Sequence, residues 1–222
     1  MNIKDFIKIM NDLHENCNSI FKSVSIAQAI EESGWGTSNL YKIANAAFGI
    51  KATSSWNGKV YSTKTKKVYN NYQDAIKIGG NLFRAYDTIQ DSVIDHNEFL
   101  NNDRYFPVRN SISCNEACRQ LKLCGYCPED GYDTRLLTII FKYNLIQYDN
   151  LQFPFKIKVI YTGNDGINVR KEPNYKDSVI DNINGPIYYN DICTVIELVN
   201  GEFYKTKSGL YITNNPLYIE KI

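Results

Sequence analysis

Histidine is scarce in this chain: His14 and His96 are the whole supply in 222 residues. That scarcity weakens the case for a zinc hydrolase, which gathers several imidazole or thiolate ligands around one open position. A cysteine hydrolase would have to use a pair such as Cys17 and His96, and nothing near either residue activates a thiol. Long apolar runs are missing too, since no stretch approaches the ~20 residues of a transmembrane helix. The N-terminal MNIKDFIKIMNDLHE carries acids and amphipathic periodicity where a secretory leader has a basic region and an apolar core, so no signal peptide is expected. A net charge of +1, with no basic run interleaved with aromatics, gives no electrostatic case for nucleic acid. Lys64, Lys66 and Lys67 read as a solvated strip that could also meet an anionic polymer. The most consequential gap is local: between Glu32 and Asp74 there is no Asp or Glu.

What is present divides into two parts. Helical periodicity of apolar residues marks Asp5 to Leu13, Ser23 to Ser33, Ile89 to Leu100, Ser113 to Leu123 and Arg135 to Tyr143. Between Ala52 and Tyr72, Thr, Ser, Val and Tyr alternate with Lys and Asn, and a short β-hairpin or lobe is expected around Asn57-Gly58. The stretch DNLQFPFK, with Pro154, reads as a linker. From Phe155 onward, short β-rich runs alternate with turn signals such as Gly163-Asn164-Asp165-Gly166 and Asn200-Gly201, which predicts a small barrel. The 43% hydrophobic share suffices to give both parts a core.

The run AQAIEESGWG, Ala27 to Gly36, places Glu32 in the last turn of an amphipathic helix. Ser23 is its candidate N-cap, and Gly34 the candidate left-handed residue that ends it. Unpaired carbonyls at the helix end and the indole of Trp35 would both disfavour a carboxylate, which suits a proton donor working near neutral pH. A solvated Glu at an ordinary helix end has the same local sequence. His96 shares a helical stripe with Ile89, Val93 and Leu100 and is expected to be a buried structural residue.

AQAIEESGWG resembles the signature of glycoside hydrolase family 73, and further segments follow in that family's order: ANAAFGIK, FRAYD, SVIDHNEFL, RYFPV, LKLCGY and LLTIIFKYNLIQYD. The resemblance covers most of Asp5 to Asp149. It implies a lysozyme-like fold, a β-N-acetylglucosaminidase acting on peptidoglycan, and Glu32 as catalytic acid. It also makes Tyr105 a cleft residue that orients the acetamido group or steadies developing charge, with a packed interfacial Tyr as the other reading. Trp35, Phe48 and Tyr126 are candidates for lining sugar subsites, although aromatics beside glycine also pack cores. Asn45 matches one Asn of the family's pair, while Ala46 replaces the other. In the family a second acid is expected in the β-lobe, but this chain has TKTKKVYNNYQDA there, and Asp74 is the nearest substitute. Asp74 could activate a water or simply open the next helix. A second route needs no such carboxylate, because the substrate's own acetamido oxygen can attack the anomeric carbon.

The segment GINVRKEPNYKDSVI, with DICTVIELVNGEFYKTK and GLYITNNPLYIEKI, is similar to bacterial SH3-like wall-binding domains. The fold expected is thus α+β: a mainly helical lysozyme-like catalytic domain with a small β-lobe over 1–150, then an SH3-like β-barrel over 151–222. Tethering would raise the enzyme's effective concentration at an insoluble substrate. Cys114, Cys118, Cys124 and Cys127 form a C-x3-C-x5-C-x2-C cluster that reads as reduced thiols or, less simply, a structural zinc site. No cofactor and no catalytic metal are expected. The combined reading is a monomeric, phage-type endolysin, made in the host cytoplasm, that cleaves the bond between N-acetylglucosamine and N-acetylmuramic acid. A lytic transglycosylase, a muramidase and a non-catalytic wall binder are the alternatives.

Overall fold

The computed structural model describes residues 2–15, 17 and 20–222, which fall into two compact units, Met1–Arg109 and Asn110–Ile222. The first unit contains α1 (Ile3–Leu13), α2 (Lys22–Ser33), α3 (Asn39–Ala44), β1 (Lys59–Ser62), β2 (Lys67–Tyr69), α4 (Tyr72–Ile78), β3 (Leu82–Ala85), α5 (Ile89–Phe99), a 3-10 turn at Asp103–Tyr105 and α6 (Phe106–Arg109). Polar side chains cap four of these helices: Asn2, Ser38, Asn71 and Thr88 each accept the backbone N–H of the third helical residue. Thr88 and Asp91 complete a reciprocal capping box.

Helix α2 is the central element. Its residues from Ser23 to Ile30 are all buried, which explains why small Ala and Ser alternate with Val and Ile instead of forming one apolar stripe. The helix begins at Lys22 with Phe21 at the N-cap and no side-chain cap. Ser23 is therefore a buried first-turn residue and not the cap its sequence suggested. At the other end Gly34 is left-handed, as expected.

The β-lobe is a three-stranded antiparallel sheet in the order β2-β1-β3, with Val60 opposite Tyr69 on one side and Arg84 on the other. Its hairpin turns at residues 63–66, not at Asn57-Gly58. The indole of Trp56 folds back over Gly58, where a Cβ would come within 2.4 Å of the ring, and Trp56 Nε1 donates to the Lys59 carbonyl. Asn57-Gly58 thus serves the enclosure of Trp56.

The second unit contains α7 (Cys114–Leu123), α8 (Tyr132–Lys142), β4 (Phe155–Val159), β5 (Ile192–Val199), β6 (Phe203–Thr206), β7 (Tyr211–Thr213) and β8 (Ile219–Lys221). Its strands form one antiparallel sheet, β7-β6-β5-β4-β8. The sheet is open, with β7 and β8 as its edges, and Phe155, Ile157, Val159, Val195, Tyr204, Ile212 and Ile219 pack as its core. Both helix and sheet are thus present, and α7 and α8 group with this sheet. Cys114 and Cys118 are buried and Cys124 and Cys127 half-buried. Burial pushes the thiols of Cys114 and Cys118 up, away from reactivity. Among the described residues, no helix is long and apolar enough to cross a membrane.

Both histidines of the first unit are buried. His14 Nδ1 donates to the Met10 carbonyl at 2.6 Å, so its Nε2 accepts from Ser25 Oγ, also at 2.6 Å. His96 Nδ1 lies 3.5 Å from the same hydroxyl. Desolvation lowers the His14 pKa from 6.5 to about 4 and moves His96 in the same direction. The unfolded chain therefore takes up these protons first as pH falls. Stability is complete above about pH 6.5 and is withdrawn towards pH 4, by about 3 kcal/mol for His14 alone. Chemical denaturation should show a marked loss between pH 7 and pH 4.5 that is smaller in His14→Gln; equal acid sensitivity in both proteins would contradict this.

Candidate active site

Glu32 sits in the last turn of α2, half-buried, immediately before a turn of unusual backbone. Gly34, Trp35 and Gly36 all have positive φ, at 55°, 59° and 70°. For Trp35 that conformation is sterically unfavourable and must be held by its surroundings. Ser33 supplies much of the restraint: its Oγ donates to the Ala29 carbonyl at 2.5 Å and accepts from Gly36 N at 2.9 Å. Its carbonyl accepts from Ser38 N, and the Trp35 ring meets Phe6 of α1 edge-on at 5.9 Å. The turn thereby fixes the direction in which the end of α2 presents Glu32.

Opposite that carboxyl group lies Gly49. A Cβ built on it would stand 3.3 Å from Glu32 Oε2, and its φ of +56° independently favours glycine. The acid group is therefore laid over bare backbone. The segment carrying Gly49 is pinned on both sides: Ala47 N donates to Ser92 Oγ of α5, and the Phe48 ring stacks on His96 at 3.7 Å. Phe48 is 2% exposed, so it does not present a face to a sugar. Enclosed by His14 and His96, it is the floor beneath Gly49.

Asn45 is left-handed and ends α3, and its side-chain amide donates to the carbonyls of Tyr86 at 3.1 Å and Asp87 at 2.8 Å. It ties the loop before Gly49 to the end of β3. The same strand is anchored to α5, for Arg84 Nη1 donates to both carboxylate oxygens of Asp95, at 2.7 and 3.0 Å, and the Tyr86 hydroxyl donates to Asp95 at 2.6 Å. The guanidinium lies 4.6 Å over Trp56, and burial followed by the Asp95 charge pushes the Tyr86 hydroxyl well above its usual range. Gly49, Arg84 and Asp95 were not singled out from sequence. The FRAYD and SVIDHNEFL segments contained the signal, in an Arg and an Asp of opposite charge within matched motifs.

Tyr105 is 3% exposed in its 3-10 turn and packs 5.3 Å from Phe99, which fits the packed reading of this residue. Tyr126 belongs to the second unit, where its ring stacks on Tyr132 at 6.3 Å. Asp74 opens α4. Its N–H is accepted by Asn71, its carboxylate accepts from Asn71 Nδ2 at 3.0 Å and Lys77 Nζ at 3.3 Å, and its side chain is 56% exposed. Of its two readings, this geometry favours the helix-opening one. Among the described residues, no three His, Cys, Asp or Glu side chains group as a metal site.

Gly49→Ala should cost about 1–2 kcal/mol of stability through its left-handed backbone. If Glu32 is the catalytic acid that the family resemblance implies, the substitution should also reduce the hydrolytic rate by roughly tenfold or more by displacing that carboxylate. Activity that falls only with the folded fraction would show that the close approach has no catalytic weight.

Comparison with known proteins adds to this geometry. Residues 9–145 match the family described as Glucosaminidase, mannosyl-glycoprotein endo-beta-N-acetylglucosaminidase. The chain is 32% identical over 138 residues to exo-glucosaminidase LytG of Bacillus subtilis, covering 60% of this chain and 47% of that protein. To peptidoglycan hydrolase FlgJ of Salmonella typhimurium it is 29% identical over 120 residues, covering 52% of this chain and 37% of FlgJ. The solved glycoside hydrolase domain of FlgJ superposes with a TM-score of 0.51 at 25% identity, over 66% of this chain and 91% of that domain. A peptidoglycan hydrolase from Sphingomonas sp. A1 gives 0.51 at 27% identity, over 65% and 92%. The chain spans less than half the length of LytG and FlgJ. With the match covering more than half of its residues, the chain belongs to the glucosaminidase family of glycoside hydrolases.

Proposed function

We propose that this protein is an endo-acting β-N-acetylglucosaminidase that hydrolyses the glycan strand of bacterial peptidoglycan, with Glu32 as general acid. The observation that carries this reading is the Glu32 carboxylate lying over Gly49 at the end of α2, with a strained Gly34-Trp35-Gly36 turn holding it in place. Glu32 protonates the glycosidic oxygen as the bond to the anomeric carbon breaks. No acidic residue lies between Glu32 and Asp74, and Asp74 is engaged at an exposed helix start, which supports attack by the substrate's acetamido oxygen. The oxazolinium formed is then opened by water, whose proton returns to the Glu32 carboxylate. Trp35 and Asn45 shape the approach to this centre.

The remainder of the reading is a catalytic domain over 1–150 and an SH3-like wall-binding domain over 151–222. The core of alternating residues in the five-stranded sheet supports the second assignment. The cellular role proposed is that of an endolysin. Expression inside a susceptible host should cause lysis when a membrane-opening protein is supplied and none without it.

Mass spectrometry of digested peptidoglycan should find reducing N-acetylglucosamine ends. Anhydro ends would make the protein a transglycosylase, and reducing N-acetylmuramic acid ends a muramidase. Early products should include long internal fragments, whereas a steady release of small sugars from one end would indicate exo action. Glu32→Gln should lose ~10³-fold or more in rate at preserved wall binding. Asp74→Asn should keep most of the activity, and its inactivation at unchanged stability would restore Asp74 as the base.

A further inference from the structure

The unit Asn110–Ile222 contains a cavity of about 310 Å³ whose lining the catalytic reading does not use. Phe141, Tyr161, Tyr175 and Tyr218 supply its aromatic surfaces, and Asp165 and Arg170 its charges. Tyr175 packs on the buried Phe203 at 4.6 Å yet is 49% exposed, and Tyr218 is 39% exposed, so both keep open aromatic surface at this concave site. Tyr161 and Tyr218 meet at 4.9 Å with their rings inclined at 53°. The two charged residues lie close in sequence and line the same cavity, yet neither takes part in an ion pair among the described residues. Asp165 accepts from the Tyr161 hydroxyl at 2.9 Å. Arg170 is largely buried and lies 5.4 Å over the Tyr175 ring. Its Nη1 donates to the Lys176 carbonyl at 3.2 Å, which leaves further guanidinium donors for a ligand.

A buried guanidinium is costly unless a carboxylate or several acceptors meet it, and its planar fork suits a carboxylate. Tyrosine faces beside a carboxylate suit an ammonium group, through cation–π attraction and charge together. A cavity that carries both, unpaired with each other, is complementary to a ligand with both charges. We propose that this cavity binds a short peptide bearing a free ammonium and a free carboxylate, the chemistry of an uncrosslinked peptide stem of the bacterial wall. The carboxylate engages Arg170, and the ammonium lies between Asp165 and the tyrosine faces. This inference rests on the reading of the C-terminal part as wall-binding. It assigns the recognised chemistry to the peptide and not to the neutral sugars that the catalytic unit would cleave.

The test is calorimetric titration of the full chain with three probes: a synthetic stem pentapeptide with free ε-amine and C-terminal carboxylate, the same peptide acetylated and amidated, and an N-acetylglucosamine tetramer. The free pentapeptide should bind, and capping should weaken it by about tenfold or more. Asp165→Asn and Arg170→Lys should each weaken the free peptide by a similar factor, with activity on soluble glycan unchanged in both and thermal unfolding unchanged in Asp165→Asn. Asp165 is exposed, so its substitution remains informative even where Arg170 variants lose stability. Equal binding of free and capped peptide, no peptide binding, or tetramer binding that is lost in Asp165→Asn would each overturn the proposal. Sedimentation with intact walls separates this failure from that of the broader reading, since a chain that binds walls but not the peptide is a wall binder with another ligand.

Discussion

The approach of the Glu32 carboxylate to the backbone of Gly49 is the constraint around which the first unit is arranged. It makes simultaneous demands on distant parts of the chain. Helix α2 must end where it does, and the turn after it must pass through three left-handed residues. The loop carrying Gly49 must lie flat against α5, which the Ser92 hydrogen bond and the Phe48–His96 stack accomplish. A side chain at position 49 would meet both a backbone penalty and the acid itself. Strain at Trp35 is consistent with this, since unfavourable backbone persists where the surrounding structure over-determines it.

Beneath that contact, the His14–Ser25–His96 network solves a separate problem. The floor of the site must be rigid, but a floor made only of aliphatic side chains would lack directional restraint. Two neutral imidazoles sharing one hydroxyl fix the orientation of the ring on which Phe48 stacks. The Arg84–Asp95 pair plays the corresponding part for the lobe, joining β3 to α5 through two hydrogen bonds and a stacked guanidinium. Together with Asn45 it holds the lobe's end beside the Gly49 loop.

Much of this was legible in the sequence where local rules govern. The helices follow apolar spacing, Gly34 ends α2, and His96 lies on a buried stripe. Local rules failed where a distant group competed for the same residue. Asn57-Gly58 has turn chemistry, but Trp56 uses the space above Gly58, and the hairpin turns later. Ser23 has the chemistry of a cap, yet the helix begins earlier and buries it. Phe48 beside Gly49 suited either a sugar platform or a core, and only the ring of His96 decides between them. The partners of Glu32 and Arg84 were illegible for a simpler reason: Gly49 and Asp95 reach them only through the tertiary fold.

The mechanism proposed for Glu32 has a definite stereochemical consequence. If the substrate's acetamido group takes the place of a second acid, the anomeric centre is displaced twice and its configuration is kept. Proton NMR of the first N-acetylglucosamine reducing ends released from purified glycan measures this directly, before mutarotation. The account predicts that the β-anomer forms first. Initial appearance of the α-anomer would contradict it, because inversion requires a protein base to activate water on the opposite face of the sugar.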